Sequence, residues 1–288
     1  MIEPRVQTDT EIRRSGGAAD DLSPRLSVSS SFAFSRVHLR DALAVWQRHL
    51  EVYLRLWKME LAAPLIEPVF MVFAFGWGLG SLIASKVEGL TYLSFVGAGV
   101  LSFAAISRAL FETAYGSYFR MVYQSTFDAI LATPVEVESL AFAEIGWATS
   151  KALIDALIIL LVLALFGVTS SPFALLAPLP LAAGAFFVAA LSLGITAHTH
   201  DIDSYNLYLN VYFSAIFVCG VWFPVEVLPE ALQWVAWAIP LTSAIDLARA
   251  SLSGTFRARH ALEALYLLAS ALVLSEWAMR SLRRRMVA

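Results

Sequence analysis

The sequence is poor in cysteine, lysine and charge, and each shortage excludes a class of protein. Its one cysteine, Cys219, leaves no intramolecular disulfide and no thiol metal site. The three lysines, Lys58, Lys86 and Lys151, follow Trp, Ser and Ser, so there is no phosphate-binding loop of the form GxxxxGKS or GxxxxGKT. We therefore expect no cofactor in this chain and any ATP hydrolysis in another one. Only 15% of the residues are charged and 59% are hydrophobic, a balance unlike that of a soluble domain.

The sequence contains several long apolar runs. A helix needs roughly 20 apolar residues to cross a bilayer, and six runs reach about that length: 61–85, 92–116, 139–167, 173–197, 205–223 and 260–279. The mean hydropathy of the chain is +0.69. We therefore predict an all-α integral membrane protein, with six transmembrane helices in a domain over residues 61–280.

The polar ends of the chain are predicted to stay in the cytoplasm. Residues 1–36 contain no apolar run that suits a signal peptide and are expected to form a disordered tail. With this end inside, the inner side carries more Lys and Arg, as the positive-inside rule requires: Arg36, Arg40, Arg48, Arg55, Lys58, Arg120, Arg280, Arg283, Arg284 and Arg285. The outer side keeps Lys86, Arg249, Arg257 and Arg259. An even number of spans then places the basic tail 281–288 beside anionic lipid headgroups of the inner membrane surface.

Residues 37–60 are predicted to form an amphipathic helix. Apolar residues recur there at helical spacing on one narrow stripe: Leu39, Leu43, Trp46, Leu50, Tyr53, Leu54 and Trp57. The opposite face carries Arg40, Asp41, Gln47, Arg48, Glu51, Arg55 and Lys58. Leu and Trp opposite Arg and Lys is typical of a helix that lies in the membrane interface. A helix that packs on a soluble partner is the alternative.

A polar segment separates the second and third predicted spans. The stretch GSYFRMVYQSTFDAILATPVEVES covers the segment 117–138 and is too polar to cross the membrane. We predict a short amphipathic helix over about 119–132, which ends near Pro134 because the residue before proline disfavours a helix. On the inner side this helix is available to another protein. The alternative is a helix that only lies on the bilayer.

The first three predicted spans contain six charged residues, and each costs roughly 2.5 to 3.5 kcal/mol on insertion scales: Glu67, Arg108, Glu112, Glu144, Lys151 and Asp155. Arg108 and Glu112 stand four residues apart and are predicted to pair on one helix face, as are Lys151 and Asp155. The set either lines a substrate path or fixes helix packing. Glu67 lies between two prolines without a local partner and is predicted to act at a helix break or an interface.

The stretch FPVEVLPEALQWVAWAIPLTSAIDLARA, residues 223–250, lies between two apolar runs on the predicted outer side. Its three prolines divide it into pieces too short to cross the membrane. Broken backbone is tolerated at membrane depth only where protein or a cavity covers it. We therefore predict re-entrant half-helices, in which Trp234 and Trp237 are shielded from water. A loop that lies flat on the outer surface is the alternative.

The stretch AHTHDID offers possible metal ligands in a connector between two spans: His198, His200, Asp201 and Asp203. A hydrated loop explains them better, and no metal site is predicted.

Four motifs resemble, in order and spacing, the permease subunits of type-2 ATP-binding-cassette exporters. They are FETAYGSYFRMVYQSTFDAILATPV, AEIGWATSKA, FPVEVLP and IPLTSAIDLAR. The nearest subgroup is the NodJ-like permeases of nodulation lipo-oligosaccharide exporters, and the resemblance covers about residues 40–285. It implies six spans per subunit, a homodimer in the bacterial inner membrane, and two copies of a separate ATPase that binds ATP and magnesium.

The resemblance also implies roles for particular segments. Residues 38–58 are similar to the family's connecting helix. The coupling helix, which docks on the ATPase, is implied around Arg120, Tyr123, Phe127, Asp128, Thr133 and Pro134. The re-entrant segment that caps the exit is implied at Phe223, Pro224, Pro229, Trp234, Trp237, Pro240, Asp246 and Arg249.

These observations predict a non-catalytic membrane subunit that exports a lipid-linked oligosaccharide or another amphiphile. Drugs, polysaccharides and other lipids are alternative substrates within the same architecture, and no nucleic-acid partner is expected. A membrane-embedded enzyme that acts on lipid would need convergent His, Asp or Glu groups at one depth. An ion-coupled secondary transporter would use Glu67, Glu112 and Glu144 as proton carriers, and many such folds contain inverted repeats.

Overall fold

Helices account for nearly all of the regular structure in the described part of the chain. The computed structural model describes residues 32–82, 87, 89–169, 171–199 and 201–287, apart from the side chains at positions 63–65, 67, 77, 81, 202 and 203. The predicted disordered tail therefore lies, up to residue 31, outside the described residues. Within these ranges there is no strand, and the α-helices are α1 Leu39–Arg55, α2 Trp57–Met71, α3 Tyr92–Phe111, α4 Thr126–Leu131, α5 Val137–Leu165, α6 Pro178–Thr196, α7 Ile202–Val218, α8 Glu230–Ala238, α9 Pro240–Ser253 and α10 Arg259–Val287.

Two of the helices continue in π-helical form. The π-helical stretch Val72–Gly78 and the 3-10 turn Leu79–Ser81 follow α2. The π-helical stretches Glu112–Ser117 and Phe119–Tyr123 follow α3. Stretches of π-helix are rare in proteins, and those that occur are often found at functional sites. The second pair covers the end of the predicted second span and the start of the predicted coupling segment.

Four helical segments are long and apolar enough to cross a membrane: Tyr92–Tyr123, Val137–Leu165, Pro172–Thr196 and Arg259–Val287. The pair α8 and α9 is bent by 87° at Ile239, and it gives a fifth span if it is counted as one. An all-α membrane protein is therefore confirmed. The predicted spans 61–85 and 205–223 correspond to the helical stretch from Trp57 to Ser81 and to α7, which has only 17 residues. Six spans remain a prediction.

Helix α6 lies at the centre of the bundle, where it packs against α3, α5, α9 and α10. Small residues permit this close packing. A Cβ atom at Gly184 would lie 2.9 Å from the Cβ of Ala244 and 3.2 Å from Ile106. Gly99 in α3 similarly faces the backbone carbonyl of Val221, and a side chain there would collide with it. The turn after α7 is therefore held directly against α3.

Both ends of the described chain are attached to the bundle, although residues up to 36 were predicted to be disordered. Residues Ala33–Arg36 form a 3-10 turn, and the amides of Ala33 and Phe34 donate to the two carboxylate oxygens of Glu276 at 2.7 and 3.2 Å. The predicted tail boundary at residue 36 was therefore wrong. These amides need an acceptor, and the α10 carboxylate supplies it.

The basic end of the chain is the last part of α10 and makes protein contacts. Arg285 Nη1 donates to the carbonyls of Thr196 and Thr199 at 2.6 and 2.5 Å, and these carbonyls lie at the end of α6, where orphan acceptors need partners. Arg283 pairs with Glu138, a residue that is buried. Arg284 is exposed. Only part of the predicted basic tail is therefore available to lipid headgroups.

Helix α1 is amphipathic as predicted, although the predicted helix 37–60 is divided at Leu56 and only part of its apolar stripe is exposed. The residues Leu39, Leu43, Leu54 and Trp57 are exposed, whereas the buried residues are Ala42, Val45, His49 and Tyr53. The buried stripe shares Tyr53 with the predicted one and packs on α5. A free Leu and Trp stripe is what a helix in the membrane interface requires, and that location remains a prediction.

Candidate functional site

Charged side chains from four segments meet in one largely buried network. The residues come from α1, from the start of α2, from α3 with its π-helical extension, and from α5: His49, Glu60, Arg108, Glu112, Arg120, Glu144, Lys151 and Asp155. Each ion pair in it joins two different segments or crosses the π-helical stretch. Burial of so many charges is tolerated only when they are paired.

Glu144 lies at one end of this network and is completely buried. Its Oε2 accepts hydrogen bonds from Arg120 Nη2 at 2.6 Å and from Ser117 Oγ at 2.7 Å. Its Oε1 lies 2.9 Å from His49 Nε2. The carboxylate therefore ties α5 both to the amphipathic helix α1 and to the π-helical turns after α3.

The chain of ion pairs continues from Arg120 through Glu112 to Lys151. Arg120 Nη1 lies 3.0 Å from Glu112 Oε1, and Lys151 Nζ lies 2.9 Å from Glu112 Oε2. Lys151 Nζ also lies 3.0 Å from Glu60 Oε2. Glu112 is therefore shared between two cations from different segments, which fixes its position more strictly than a single pair would.

Arg108 and Asp155 complete the network on the side of α2. The guanidinium of Arg108 pairs with Glu60, and its Nε lies 3.2 Å from Asp155 Oδ2. The other oxygen of Asp155 and Arg108 Nε lack hydrogen-bond partners among the described residues, although both are buried. Such atoms need water or another polar group.

The pairs predicted within single helices are replaced by pairs between helices, so both predicted pairings were wrong. Arg108 contacts Glu60 and Asp155 rather than Glu112, and Lys151 contacts Glu112 and Glu60 rather than Asp155. Helix α3 ends at Phe111, and Glu112 begins a π-helical stretch with more residues in each turn. The four-residue spacing is therefore not continued in α-helical form beyond Phe111, whereas Lys151 and Asp155 lie in the regular helix α5 and are separated by the partners that other segments offer.

Gly116 leaves the room that the Glu112–Arg120 pair occupies. A Cβ atom at this position would lie 3.1 Å from Glu112 Oε1 and 3.2 Å from Arg120 Nη1. Both distances are shorter than ordinary van der Waals contact, so a side chain would push the two groups apart. The absence of a side chain at Gly116 is therefore part of the geometry of the site.

An aromatic cluster joins α1 to α5 beside the network. Trp147 stacks on His49 at 5.8 Å between ring centroids and contacts Tyr53 edge-on at 5.7 Å. Trp46 Nε1 donates to Ser150 Oγ at 3.1 Å. Burial raises the pKa of the Tyr53 phenol, and the nearby Asp155 and Glu60 carboxylates act in the same direction. The Tyr53 hydroxyl is thus a neutral group that faces the network.

Sequence reasoning missed His49 and Glu60. His49 is four residues from both Val45 and Tyr53 on the buried stripe of α1, so a polar side chain at a core position was the available signal. Glu60 precedes the first apolar run and was not considered as a member of it. The predicted role of Glu67 cannot be compared, because its side chain lies outside the described residues.

The predicted coupling segment divides into a buried and an exposed set. Arg120 belongs to the network, and Phe127 is completely buried within the chain. Tyr123, Asp128, Thr133 and Pro134 are exposed. The predicted continuous helix over 119–132 was wrong, because Ser125 has a left-handed backbone with φ 46° and separates the π-helical turn from α4. A non-glycine residue with positive φ is uncommon and marks a fixed turn.

The predicted exit segment contains two short helices with a break between them. Phe223, Pro224 and Pro229 lie in the connection from α7 to α8, and Pro240 is the first residue of α9. Pro240 suits the first helical position because it has no amide hydrogen to leave unpaired. The sharp bend between α8 and α9 therefore follows from its position.

The tryptophans of this segment differ in exposure. Trp234 is 74% exposed within the chain, whereas Trp237 is half-buried and the guanidinium of Arg259 lies 5.7 Å from its ring. The expected shielding of Trp234 is not provided by the described residues of its own chain. Any cover for it comes from outside the described residues, such as lipid or another molecule.

Arg249 and Asp246 fix α9 to its surroundings. Arg249 Nη2 donates to the Gly220 carbonyl at 2.6 Å, and its guanidinium lies 3.9 Å from the Phe95 ring centre. Asp246 Oδ2 accepts from Arg259 Nη2 at 2.8 Å. Both residues therefore hold helices together and do not project into an open path.

One group of possible metal ligands occurs among the described residues. Ligand atoms of Asp246, His260 and Glu263 lie within 4.8 Å of one another. Arg259 pairs with Asp246 and, at 3.4 Å, with Glu263, so a guanidinium already supplies the positive charge. Of the predicted candidates, Asp201 caps α7 through the amide of Ser204 at 2.7 Å, and His198 Nδ1 lies 2.8 Å from the Gly194 carbonyl. The side chains of His200 and Asp203 lie outside the described residues.

Comparison with known proteins identifies the family. Residues 40–253 match the ABC-2 type transporter family. Nodulation protein J of Rhizobium leguminosarum bv. viciae is 34% identical over 215 residues, which cover 74% of this chain and 82% of the relative. Nodulation protein J of Sinorhizobium fredii (strain NBRC 101917 / NGR234) is 31% identical over 208 residues, 72% of this chain and 79% of the relative.

The matched region includes α1, the buried network, the coupling segment and the bent pair α8–α9, so the similarity covers the parts of the fold described above. The family consists of membrane subunits of ATP-binding-cassette transporters, and it implies a partner subunit that binds ATP. The chain therefore belongs to the ABC-2 type transporter family, as a permease similar to nodulation protein J.

Proposed function

We propose that this chain is the permease subunit of an ATP-driven exporter in a bacterial inner membrane, with both termini in the cytoplasm. It acts as a homodimer with two copies of a separate ATPase, which binds ATP and magnesium. The substrate is a lipid-linked oligosaccharide or a similar amphiphile that moves outward. The family match over residues 40–253 is the observation that carries this proposal, and the similarity to nodulation protein J supports the substrate class.

The buried network offers a physical route from the ATPase to the membrane helices. Arg120 lies in the π-helical turn that leads into the coupling segment, and it bonds both Glu112 and Glu144. Movement of the coupling segment would shift this guanidinium relative to α5 and, through Glu144, relative to α1. Because Glu144 is completely buried and Glu112 is only 12% exposed, the pairs must move together or be replaced, since an unpaired buried charge is costly.

The exposed residues of the coupling segment form the proposed docking surface for the ATPase. Tyr123 is 62% exposed, and Asp128 is an exposed residue of the neighbouring α4. Phe127 is buried within the chain, so it supports this surface and does not contact the partner itself. Aromatic residues are enriched among the hot spots of protein interfaces, which makes Tyr123 a suitable anchor.

The first experiment separates ATP hydrolysis from transport. The purified permease alone should hydrolyse no ATP, and activity should appear when a partner ATPase is added. Asp128→Arg should weaken ATPase binding by about tenfold or more, the loss expected for a charge reversal at an interface. Glu230→Arg, a charge reversal at an exposed carboxylate of the outer segment, is the matched control and should bind normally. Equal ATPase binding by both variants would contradict the proposed docking surface.

A second experiment identifies the substrate. Mass spectrometry of lipids retained by the purified complex should find a glycosylated lipid or another amphiphile above the level of bulk membrane lipid. Vesicles that contain the complex should then move that molecule in an ATP-dependent manner. Transport that is driven by a proton gradient without ATP would overturn the proposal in favour of an ion-coupled transporter.

A further inference from the structure

Three arginines near the connection from α9 to α10 differ in the partners of their side chains. Arg249 is buried and bonded to the Gly220 carbonyl, and Arg259 pairs with Asp246 and Glu263. Arg257 differs from both. Its backbone amide donates to His260 Nδ1 at 3.0 Å, which fixes its backbone, while its side chain is exposed and has no ion-pair partner among the described residues. The guanidinium of Arg257 is therefore exposed to the surroundings on a fixed backbone.

An apolar groove lies next to Arg257. It has a volume of about 330 Å³ and is formed by the start of α6, the end of α9 and the start of α10. Phe256, the residue before Arg257, lines it together with Leu179, Leu247 and Leu268. The volume lies within the range of small-molecule sites, roughly 300 to 1,000 Å³. The groove is thus large enough for part of a ligand.

The residues that line the groove are almost all apolar. Its only polar lining residue among the described ones is Ser251, whose Oγ donates to the Leu247 carbonyl at 2.8 Å and is therefore already satisfied. Leu179 and Leu268 are 63% and 53% exposed, and they belong to two of the membrane-length helical segments. The groove therefore opens toward the bilayer, where the adjacent molecules are lipids.

We propose that this groove and Arg257 form a binding site for a phospholipid of the surrounding bilayer, with one acyl chain in the groove and the phosphate on Arg257. A chain in the groove makes van der Waals contacts that an unfilled cavity lacks. A guanidinium binds a phosphate through paired, charge-assisted hydrogen bonds. The combination of an apolar groove and an adjacent cation matches the two parts of a phospholipid.

The site is independent of the exported substrate and rests only on the membrane location of the chain. A peptide would need backbone hydrogen-bond partners, which the groove does not offer. A second copy of this chain could cover the groove through apolar contacts, but it would leave the charge of Arg257 without a stated partner. Charge complementarity therefore selects the phospholipid.

The test uses the complete permease, together with its ATPase where the two copurify, in lipid nanodiscs. A small fraction of phosphatidylglycerol carries a photoreactive diazirine on one acyl chain. After irradiation, mass spectrometry compares adducts at the exposed groove residues Leu179, Phe256 and Leu268 with adducts at the exposed residues Leu157, Leu161 and Leu165 of α5. The α5 residues report ordinary contact with bulk lipid.

We expect adducts in the groove to exceed those on α5, and Arg257→Gln to lower them about tenfold, the effect of losing one charge-assisted hydrogen bond. Arg257→Lys should keep part of the excess. Ala264→Phe, which fills the groove, should also remove it, and Arg55→Gln, at an exposed arginine of α1, should not. Arg257→Gln decides the question even where Ala264→Phe fails to fold.

Two results would overturn the proposal. Adduct yields in the groove that equal those on α5 and do not respond to Arg257→Gln would mean that only bulk lipid touches this surface. An absence of groove adducts in the wild-type protein, with protection of the same residues in the dimer, would mean that a second copy covers it.

Discussion

The buried network and the bent segment α8–α9, called the outer segment after its predicted side, both carry ionisable and aromatic residues, but these residues differ in exposure. In the network, Glu144 is enclosed and the adjacent Trp147 is 3% exposed, because α1, α3 and α5 supply partners from the same chain. In the outer segment, Trp234 is 74% exposed. One region is completed by a single chain, and the other is left for lipid or another molecule to complete. The network is thus a structural element of the subunit, and the outer segment is a surface.

The largest effect should come from Glu144→Leu in the network. This change leaves Arg120 and His49 buried without their carboxylate, and breaking a buried ion pair costs about 3 to 5 kcal/mol. Thermal unfolding in detergent should therefore shift strongly downward. Glu136→Gln, at a carboxylate that is 44% exposed just before α5, is the control and should change the stability little. A stable Glu144→Leu protein would mean that water reaches the network.

The same substitution in the two regions provides the next comparison. Trp147→Ala removes a buried ring that contacts Trp46, His49 and Tyr53, and it should cost about 3 to 5 kcal/mol. Trp234→Ala removes an exposed ring and should change the free energy of unfolding of the isolated subunit by no more than about 0.5 kcal/mol. A large loss of stability for Trp234→Ala in detergent would show that the outer segment is also packed by its own chain.

Two glycine substitutions test how close helix packing affects stability without changing any charge. Gly99→Ala places a Cβ against the Val221 carbonyl, and overpacking of this kind costs roughly 1 to 3 kcal/mol. Gly146 on α5 has open space around its added Cβ, so Gly146→Ala should be neutral or stabilising, by up to about 1 kcal/mol, through helix propensity. Equal stability of both variants would mean that the turn after α7 can move away from α3.

The smallest effect is a difference in labelling rate within α8. Cys219 is first replaced, and single cysteines are placed at Ala231, Ala236 and Ala238. Because Ala236 is completely buried while Ala231 and Ala238 are more accessible, a membrane-impermeant thiol reagent should react much more slowly at position 236. Uniformly fast reaction, with no response to trapped nucleotide in the ATPase, would contradict a re-entrant cap and indicate a surface loop.

Much of the fold was predictable because it depends on local patterns. Apolar length predicted the helices α3, α5, α6 and α10, and prolines predicted the breaks around α8. The ion-pair partners were not predictable from the four-residue spacing. Arg108 and Lys151 pair with residues of other segments, and the π-helical stretch that begins at Glu112 changes the direction of the side chains after it. Which residues of the coupling segment are exposed and which are buried likewise depends on the left-handed backbone of Ser125. The periodicity of the sequence does not indicate that conformation.

The sequence by itself determined the class of this protein: a helical membrane chain without a phosphate-binding loop, with an amphipathic helix before the first apolar run and a proline-broken segment before the last. These properties follow from composition and from the helical period, which act over a few turns. The tertiary structure decided which charges share a site, which stripe of α1 is buried, and that Arg257 remains open while Arg249 is enclosed. Those outcomes depend on the rotation and separation of helices distant in sequence, since burial and pairing are set by neighbours that the local pattern does not specify.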